Sequence, residues 1–276
     1  MITTGQTAIS FEELNELNEL IFRIHGFDFK GYSPASLKRR VTRIMHLHHL
    51  DFFGLKMQLA NDSTFFDKFL TDVTVNVTEM FRDPSFYKTV REKVLPYLSS
   101  YPRLKLWSAG CSTGEEAYSL AILLEEEGLF ERSFIYGTDI NTKVLQTAKE
   151  GIYDLKKMRV YSENYRLSQT KYSLSNYYTA KYDAAAMQAR LKKNMLFSVH
   201  NLCMDSVFNE FQLICCRNVL IYFNSELQKK VIDLFYNSLS PLGFLCLGSK
   251  ETLRGDEKLK RFKMVDSREN IFQKIA

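Results

Sequence analysis

The sequence predicts an α/β protein: a parallel sheet with right-handed crossovers, preceded by a small all-helical domain and interrupted by an inserted subdomain. Three observations predict it. From Leu104 onward short apolar stretches alternate with helical patterns. The first apolar stretch runs into a loop of small residues and then a helix. Before Pro96 the apolar residues recur at helical spacing.

The N-terminal helices come first. Ser10 is placed to cap a helix, with Glu13 three residues later closing a capping box. Phe11, Leu14, Leu17, Ile21 and Ile24 then repeat helically, and Gly26 follows as a C-terminal glycine should. Ser33 is placed to cap a second helix and Pro34 suits its first position. Leu37, Val41, Ile44 and Met45 form its apolar face. Phe52–Ala60 and Ser63–Thr71 are further helical candidates. Leu104–Trp107 reads as the first strand, Glu115–Glu127 as a helix, Phe134–Asp139 as a strand and Thr142–Glu150 as a helix. Met195–Asn201 and Phe211–Cys216 read as two more strands. Ser225–Leu239 is a long helix, PLGFLCLG holds a strand, and Ile271–Ile275 is the last one. The stretch 154–194 breaks this rhythm, being rich in Tyr and Lys without a clear period, and reads as an insertion.

Composition narrows the class. With 45% hydrophobic and 25% charged residues in 276, the chain is long and apolar enough for one full α/β domain plus a smaller one. The net charge of +5 is mildly basic, which suits an acidic partner without indicating nucleic acid. Five cysteines with no C-x-x-C pair argue against a disulfide framework or a structural zinc, and favour a reducing, cytoplasmic setting. The N-terminus lacks the pattern of a signal peptide, and no run of about 18 apolar residues suggests a membrane span.

The loop and helix after the first strand, within WSAGCSTGEEAYSLAI (Trp107–Ile122), point to a ligand site, because ligands of such sheets lie beyond the carboxyl ends of strands. The loop is not G-x-G-x-x-G. Glu115 and Glu116 open the helix instead; they would repel a pyrophosphate but suit the ammonium or sulfonium of S-adenosylmethionine. Equally, they can simply complement the helix dipole. Asp139 ends the second strand, where a carboxylate can accept from two ribose hydroxyls or else cap the helix that follows.

The motifs NVTEMFRD (Asn76–Asp83), AGCSTGEEAYSLA (Ala109–Ala121), TDIN (Thr138–Asn141), HNL (His200–Leu202) and CCRNVLIYF (Cys215–Phe223) occur in that order. In them the chain resembles the CheR-type chemoreceptor methyltransferases, from about residue 10 to the end. The resemblance implies a Rossmann-like class I methyltransferase domain (93–276, insertion about 154–200) behind a small N-terminal all-helical domain (1–92). It implies that S-adenosylmethionine is bound by Asn76, Thr78, Arg82, Glu116, Asp139, Asn201, Leu202, Arg217 and Asn218, with S-adenosylhomocysteine as product. It places Arg82 and Tyr222 beside the reacting groups. The residues alone leave blander roles open: a linker anchor for Arg82, a core or interface position for Tyr222, turn positions for Asn201 and Asn218.

The implied reaction is methyl transfer to glutamate side chains of chemoreceptors, giving methyl esters. A glutamate is already an anion at neutral pH, its reference pKa being about 4.3, so no general base is required. Alignment and exclusion of water would lower the barrier. The helix from Pro34 carries Lys38, Arg39, Arg40 and Arg43; Arg39, Arg43 and His46 share a face. That stripe can dock the acidic helical region of a receptor or be a solvated surface. In some family members a β-subdomain with glycine-containing turns grips a peptide at the receptor's C-terminus. Residues 154–200 here hold no glycine, so such tethering is not expected. Tyr161, Tyr165, Tyr172, Tyr177, Tyr178 and Tyr182 crowd that segment instead, as packing residues or as a partner surface. A monomer that enters neither nucleic acid nor membrane is expected. The missing G-x-G-x-x-G disfavours a nicotinamide dehydrogenase, and the absence of N-P-P-Y or D-P-P-Y disfavours an amino-methylating nucleic-acid enzyme. The remaining alternative is a catalytically silent module that binds S-adenosylmethionine and a partner.

Overall fold

The computed structural model describes residues 8–74, 76–253 and 260–275. They form two units. The first comprises the chain to Asn76 together with Tyr222–Val231; the second comprises Val77–Ile221 and Ile232 onward.

The first unit contains α1 (Phe11–His25), α2 (Pro34–Leu47), α3 (Phe52–Asn61) and α4 (Ser63–Val73). The capping box is present: the Ser10 hydroxyl accepts from the Glu13 amide at 3.0 Å, and the Ser10 amide donates to the Glu13 carboxylate at 2.7 Å. Leu14, Leu17 and Ile21 line the buried stripe of α1; Leu37, Val41, Ile44 and Met45 line that of α2. Ser33 departs from expectation. It sits at the N-cap of α2, but its hydroxyl makes no capping bond; its amide instead donates to the Tyr222 carbonyl at 2.8 Å. Asp51 and Asp62 cap α3 and α4 through their side chains. The His25 ring stacks on Phe66 at 3.7 Å between centroids.

The boundary between the units falls at Asn76, whereas the sequence reading set it at 92. Of the residues between them, 77–83 are not helical, against expectation, while those from Pro84 are, and the apolar side chains of this helical stretch pack elsewhere. In α5 (Pro84–Thr89), the π-helical stretch Val90–Val94 and α6 (Leu95–Leu98), the side chains of Phe86, Tyr87, Val90, Val94 and Leu98 join the core of the second unit.

That core surrounds a seven-stranded sheet. Its strands are β1 (Leu104–Ala109), β2 (Ser133–Asp139), β6 (Met195–Val199), β7 (Phe211–Cys216), β8 (Leu239–Leu247), β9 (Phe262–Asp266) and β10 (Ile271–Lys274), in the order β6-β2-β1-β7-β8-β10-β9. The first five are parallel. β10 runs antiparallel to both β8 and β9 in an otherwise parallel sheet, and β9 is a strand that the sequence reading did not assign. The order reverses between β1 and β7, the position at which such sheets open a ligand crevice. Against the sheet lie α7 (Glu115–Glu126) and α8 (Thr142–Glu150), with α11 (Ser225–Ser238) leading into β8. α7 is buried nearly all round, from Ala117 to Leu124, which a surface helix with a single apolar stripe would not be. Each such leucine contributes about 1.5–3 kcal/mol of burial.

The insertion covers the other face of α7. It contains α9 (Met158–Leu167), α10 (Ala189–Lys192) and a second, three-stranded antiparallel sheet, β3 (Ile152–Asp154), β5 (Ala184–Met187) and β4 (Tyr178–Lys181). A β-subdomain therefore forms without glycine. Tyr182, at the β4–β5 turn, takes the left-handed φ of 53° that a glycine would ordinarily supply, and Asp183 completes the turn. Tyr161, Tyr165 and Tyr177 are buried packing residues, while Tyr172 and Tyr182 are exposed. Among the described residues no helix is long and apolar enough to cross a membrane.

Candidate functional site

Four of the polar residues singled out in the sequence, Glu116, Asp139, Arg217 and Asn218, lie at or just beyond the carboxyl ends of β1, β2 and β7. After β1 the chain turns at Gly110 (φ 75°), where a Cβ would lie 2.5 Å from Val219 Cγ2. Glycine is needed there both for its φ and for the approach of the loop after β7.

Glu115 and Glu116 are neighbours in sequence with different fates. Glu115 is fully buried; its carboxylate accepts from Thr113 Oγ1 at 2.6 Å and from the Tyr161 hydroxyl at 3.1 Å. Burial raises its pKa, a push that the bonds from Thr113 and Tyr161 oppose. Glu116 retains access to solvent. It accepts from Ser108 Oγ at 2.8 Å and pairs with Arg217 at 3.4 Å. Of the two, only Glu116 can meet a ligand. The helix-dipole role is compatible with both.

Asp139 is half-buried at the end of β2. One oxygen accepts from the Ser112 amide at 3.0 Å and the other from the Asn141 amide at 3.0 Å. Burial raises its pKa, and these backbone bonds lower it. It does not cap α8: Asn141 does, accepting from Lys143 and Val144. Each carboxylate oxygen keeps a lone pair beyond its amide partner, as acceptance of ribose hydroxyls requires. The loop after β6 joins this end through the His200 amide, which donates to the Asp139 carbonyl at 3.2 Å. There Asn201 holds the loop, its side chain accepting from the Cys203 amide at 2.9 Å, and Leu202 is buried.

Arg217 follows β7 directly. Its side chain is nearly buried, lies 3.9 Å over the Phe86 ring and donates to Asp83 at 2.7 Å and to the Arg82 carbonyl at 3.2 Å. Burial alone would lower its pKa, but the surrounding Tyr87, Glu116 and Asp83 outweigh that and raise it. Asn218 adopts φ 62° and donates its amide to Glu251. Arg82 is half-buried; Nη1 donates to the Val77 carbonyl at 3.1 Å, and it forms no ion pair among the described residues. Thr78 is half-buried in the same segment.

Two expected site residues belong to the first unit. Asn76 uses its amide to close the end of α4, donating to the Thr71 carbonyl at 3.0 Å. Tyr222 is half-buried, and the Arg40 guanidinium lies 4.4 Å over its ring. Arg40 also donates to the Val73 carbonyl at 2.7 Å, and burial lowers its pKa. It therefore leaves the basic stripe, on which Arg39, Arg43 and His46 are exposed. Lys38 is half-buried, over the Phe11 ring at 4.5 Å.

The groups gathered in the second unit fit S-adenosylmethionine. Two carboxylates with spare acceptor capacity, Glu116 and Asp139, stand at adjacent strand ends. Two buried polar atoms next to them, Ser112 Oγ and Arg217 Nε, have no hydrogen-bond partner among the described residues. A ligand carrying hydroxyl, ammonium and carboxylate groups supplies what these atoms lack. Sequence reasoning assigned no part in the site to Ser108, Asp83 or Glu251, and read Tyr161 only as a packing or partner-surface residue. Asp83 and Ser108 lie next to residues that were noticed; Glu251 carried one signal, an acid just past the end of a strand.

Comparison with known proteins agrees with this geometry. Residues 12–74 match the CheR methyltransferase all-alpha domain, and residues 76–271 match the CheR methyltransferase SAM binding domain. The chain is 46% identical over 263 residues to "Putative methyltransferase Cher3" of Pseudomonas putida, covering 95% of this chain and 96% of that one. It is 33% identical over 269 residues to "Chemotaxis protein methyltransferase Cher2" of the same organism, covering 92% and 93%. To "Chemotaxis protein methyltransferase" of Listeria monocytogenes it is 32% identical over 231 residues, covering 83% and 85%. With both domains matched along most of its length, the chain belongs to the CheR methyltransferase family and is an S-adenosylmethionine-dependent methyltransferase.

Proposed function

We propose that this chain methylates glutamate side chains on the cytoplasmic helices of chemoreceptors, giving glutamyl methyl esters. The observation that carries the reading is its similarity, along most of its length, to chemotaxis protein methyltransferases. The site supports it by what it does not need. The acceptor is an anion at neutral pH, so transfer requires alignment and dryness rather than a base.

S-adenosylmethionine, when bound, supplies the activated methyl group. Glu116 and Asp139 hold the cofactor's amino and ribose groups, with Asn76, Thr78, Arg82, Asn201, Leu202, Arg217 and Asn218 completing the contacts. Arg82, unpaired with any acid among the described residues, attracts and orients the substrate carboxylate. An angled contact is expected, since a bidentate clamp would damp the nucleophile. Tyr222 hydrogen-bonds the same carboxylate or walls the pocket. The exposed Arg39, Arg43 and His46, with Lys38 beside them, dock the acidic receptor helices. Arg40, turned onto Tyr222, supports that residue instead.

The test is transfer of labelled methyl from S-adenosylmethionine to a receptor cytoplasmic fragment. Label released as methanol by mild alkali is expected, with Arg82→Ala lowering kcat about 100-fold. Charge reversal at Arg39 and Arg43 should raise KM for the receptor about tenfold and leave S-adenosylhomocysteine affinity unchanged. Cofactor binding with no transfer to any fragment would favour the silent partner-binding module.

A further inference from the structure

Glu251 lies outside every motif that drew attention to the site, and it is 4% exposed. A buried carboxylate needs donors, and its donors are all backbone amides. Oε2 accepts from Gly248 at 2.6 Å and from Asn218 at 2.9 Å; Oε1 accepts from Ile221 at 3.2 Å. Burial raises its pKa and these amides work against that rise. The three amides come from two segments, the end of β8 and the loop after β7.

The arrangement is tight. A Cβ at Gly248 would lie 2.7 Å from Glu251 Oε2 and 2.8 Å from the Asn218 amide nitrogen, so the absence of a side chain there lets the two backbones close on the acid. Asn218 is held at φ 62°, a conformation that persists when its surroundings over-determine it. Two residues of the same loop have other anchors: Val219 fills the space beside Gly110, and Leu220 is buried. The loop is thus fixed against the cofactor loop on one side and against Glu251 on the other.

We infer that Glu251 is a positioning residue of the transfer site: it sets the backbone of Asn218–Ile221 and thereby the cofactor contacts made by Arg217 and Asn218. The inference rests on the reading of Arg217 and Asn218 as cofactor contacts. Glu251 acts through them and touches neither cofactor nor substrate.

Glu251→Gln keeps the size of the side chain but replaces one acceptor oxygen with a donor facing an amide. Calorimetric titration of the full chain with S-adenosylhomocysteine, well below its melting temperature, should show affinity reduced about tenfold or more, the fold-change of one charge-assisted hydrogen bond. The backbone amide resonances of Gly248, Asn218 and Ile221 should move upfield together. Tyr165→Phe, which removes a buried bond at the far end of α7, serves as control: it should lower the melting temperature and leave the affinity alone. If Glu251→Gln does not fold, Gly248→Ala forces the same two segments apart with the acid in place, and the same loss of affinity is expected. Loop resonances that shift in a folded variant whose affinity stays within twofold of the parent would overturn the inference. Loss of binding by Arg217→Ala and Asn218→Ala sets the scale; if neither weakens binding, the underlying reading of those two residues fails instead.

Discussion

Asp139 and Glu251 perform one operation at two ends of the same sheet edge, with different degrees of closure. Each stands at or just beyond the carboxyl end of a strand, and each ties loop backbone through amide-to-carboxylate bonds. Asp139 takes two amides and remains half-exposed; Glu251 takes three and is almost sealed. A carboxylate with capacity left over can both hold its loop and receive a ligand. One closed off from solvent can only hold. Glu116 is a third case, held by a hydroxyl and a guanidinium rather than by backbone, so its geometry depends on a side chain that must itself be fixed.

The largest effect should come from that dependence. Arg217→Met removes the cation shared by Glu116 and Asp83, and a loss of about 3 kcal/mol in unfolding free energy is expected from urea denaturation. Unchanged stability would mean that Glu116 is held well enough by Ser108 alone. Next, Asp139→Ala should weaken S-adenosylhomocysteine binding by about 2 kcal/mol, roughly thirtyfold, because ligand bonds are lost along with loop bonds. If it costs no more than Glu251→Gln, the distinction between a binding and a holding carboxylate breaks. The smallest effect belongs to Tyr161→Phe: about 1 kcal/mol of stability, from removing one donor to buried Glu115, with cofactor affinity unmoved. A tenfold loss of affinity there would return Glu115 to the site.

What could be read ahead of the structure follows a physical division. α1, with its capping box and terminal glycine, and β7, apolar at every position but Gln212, declare themselves through local chemistry. The site residues at strand ends were legible because they sit in short contiguous motifs. Glu251 was not, because two of its partners, the Asn218 and Ile221 amides, lie about 30 residues away and only the fold joins them to it. The unit boundary was misplaced for a related reason. Residues 84–98 are as helical as those before them, and only packing of Phe86, Tyr87 and Val94 reveals which core they serve. The insertion hid its sheet because the turn between β4 and β5 uses Tyr182 and Asp183 where glycine is the usual signal.

The buried acids of α7 bear on whether this enzyme could be trimmed or its insertion exchanged. At the start of the helix Glu115 depends on Tyr161, and the loop before it is held by the Tyr153 hydroxyl on the Thr113 carbonyl at 2.8 Å. At its end Glu126 accepts from Tyr165 and Tyr177 as well as from Arg91. All four tyrosines come from residues 152–192. Cutting that segment out would uncover this face of α7 and take the tyrosine donors from both carboxylates, so the insertion cannot be treated as a detachable module. A graft between relatives would have to carry the tyrosines and the acids of α7 across together, as one unit of inheritance.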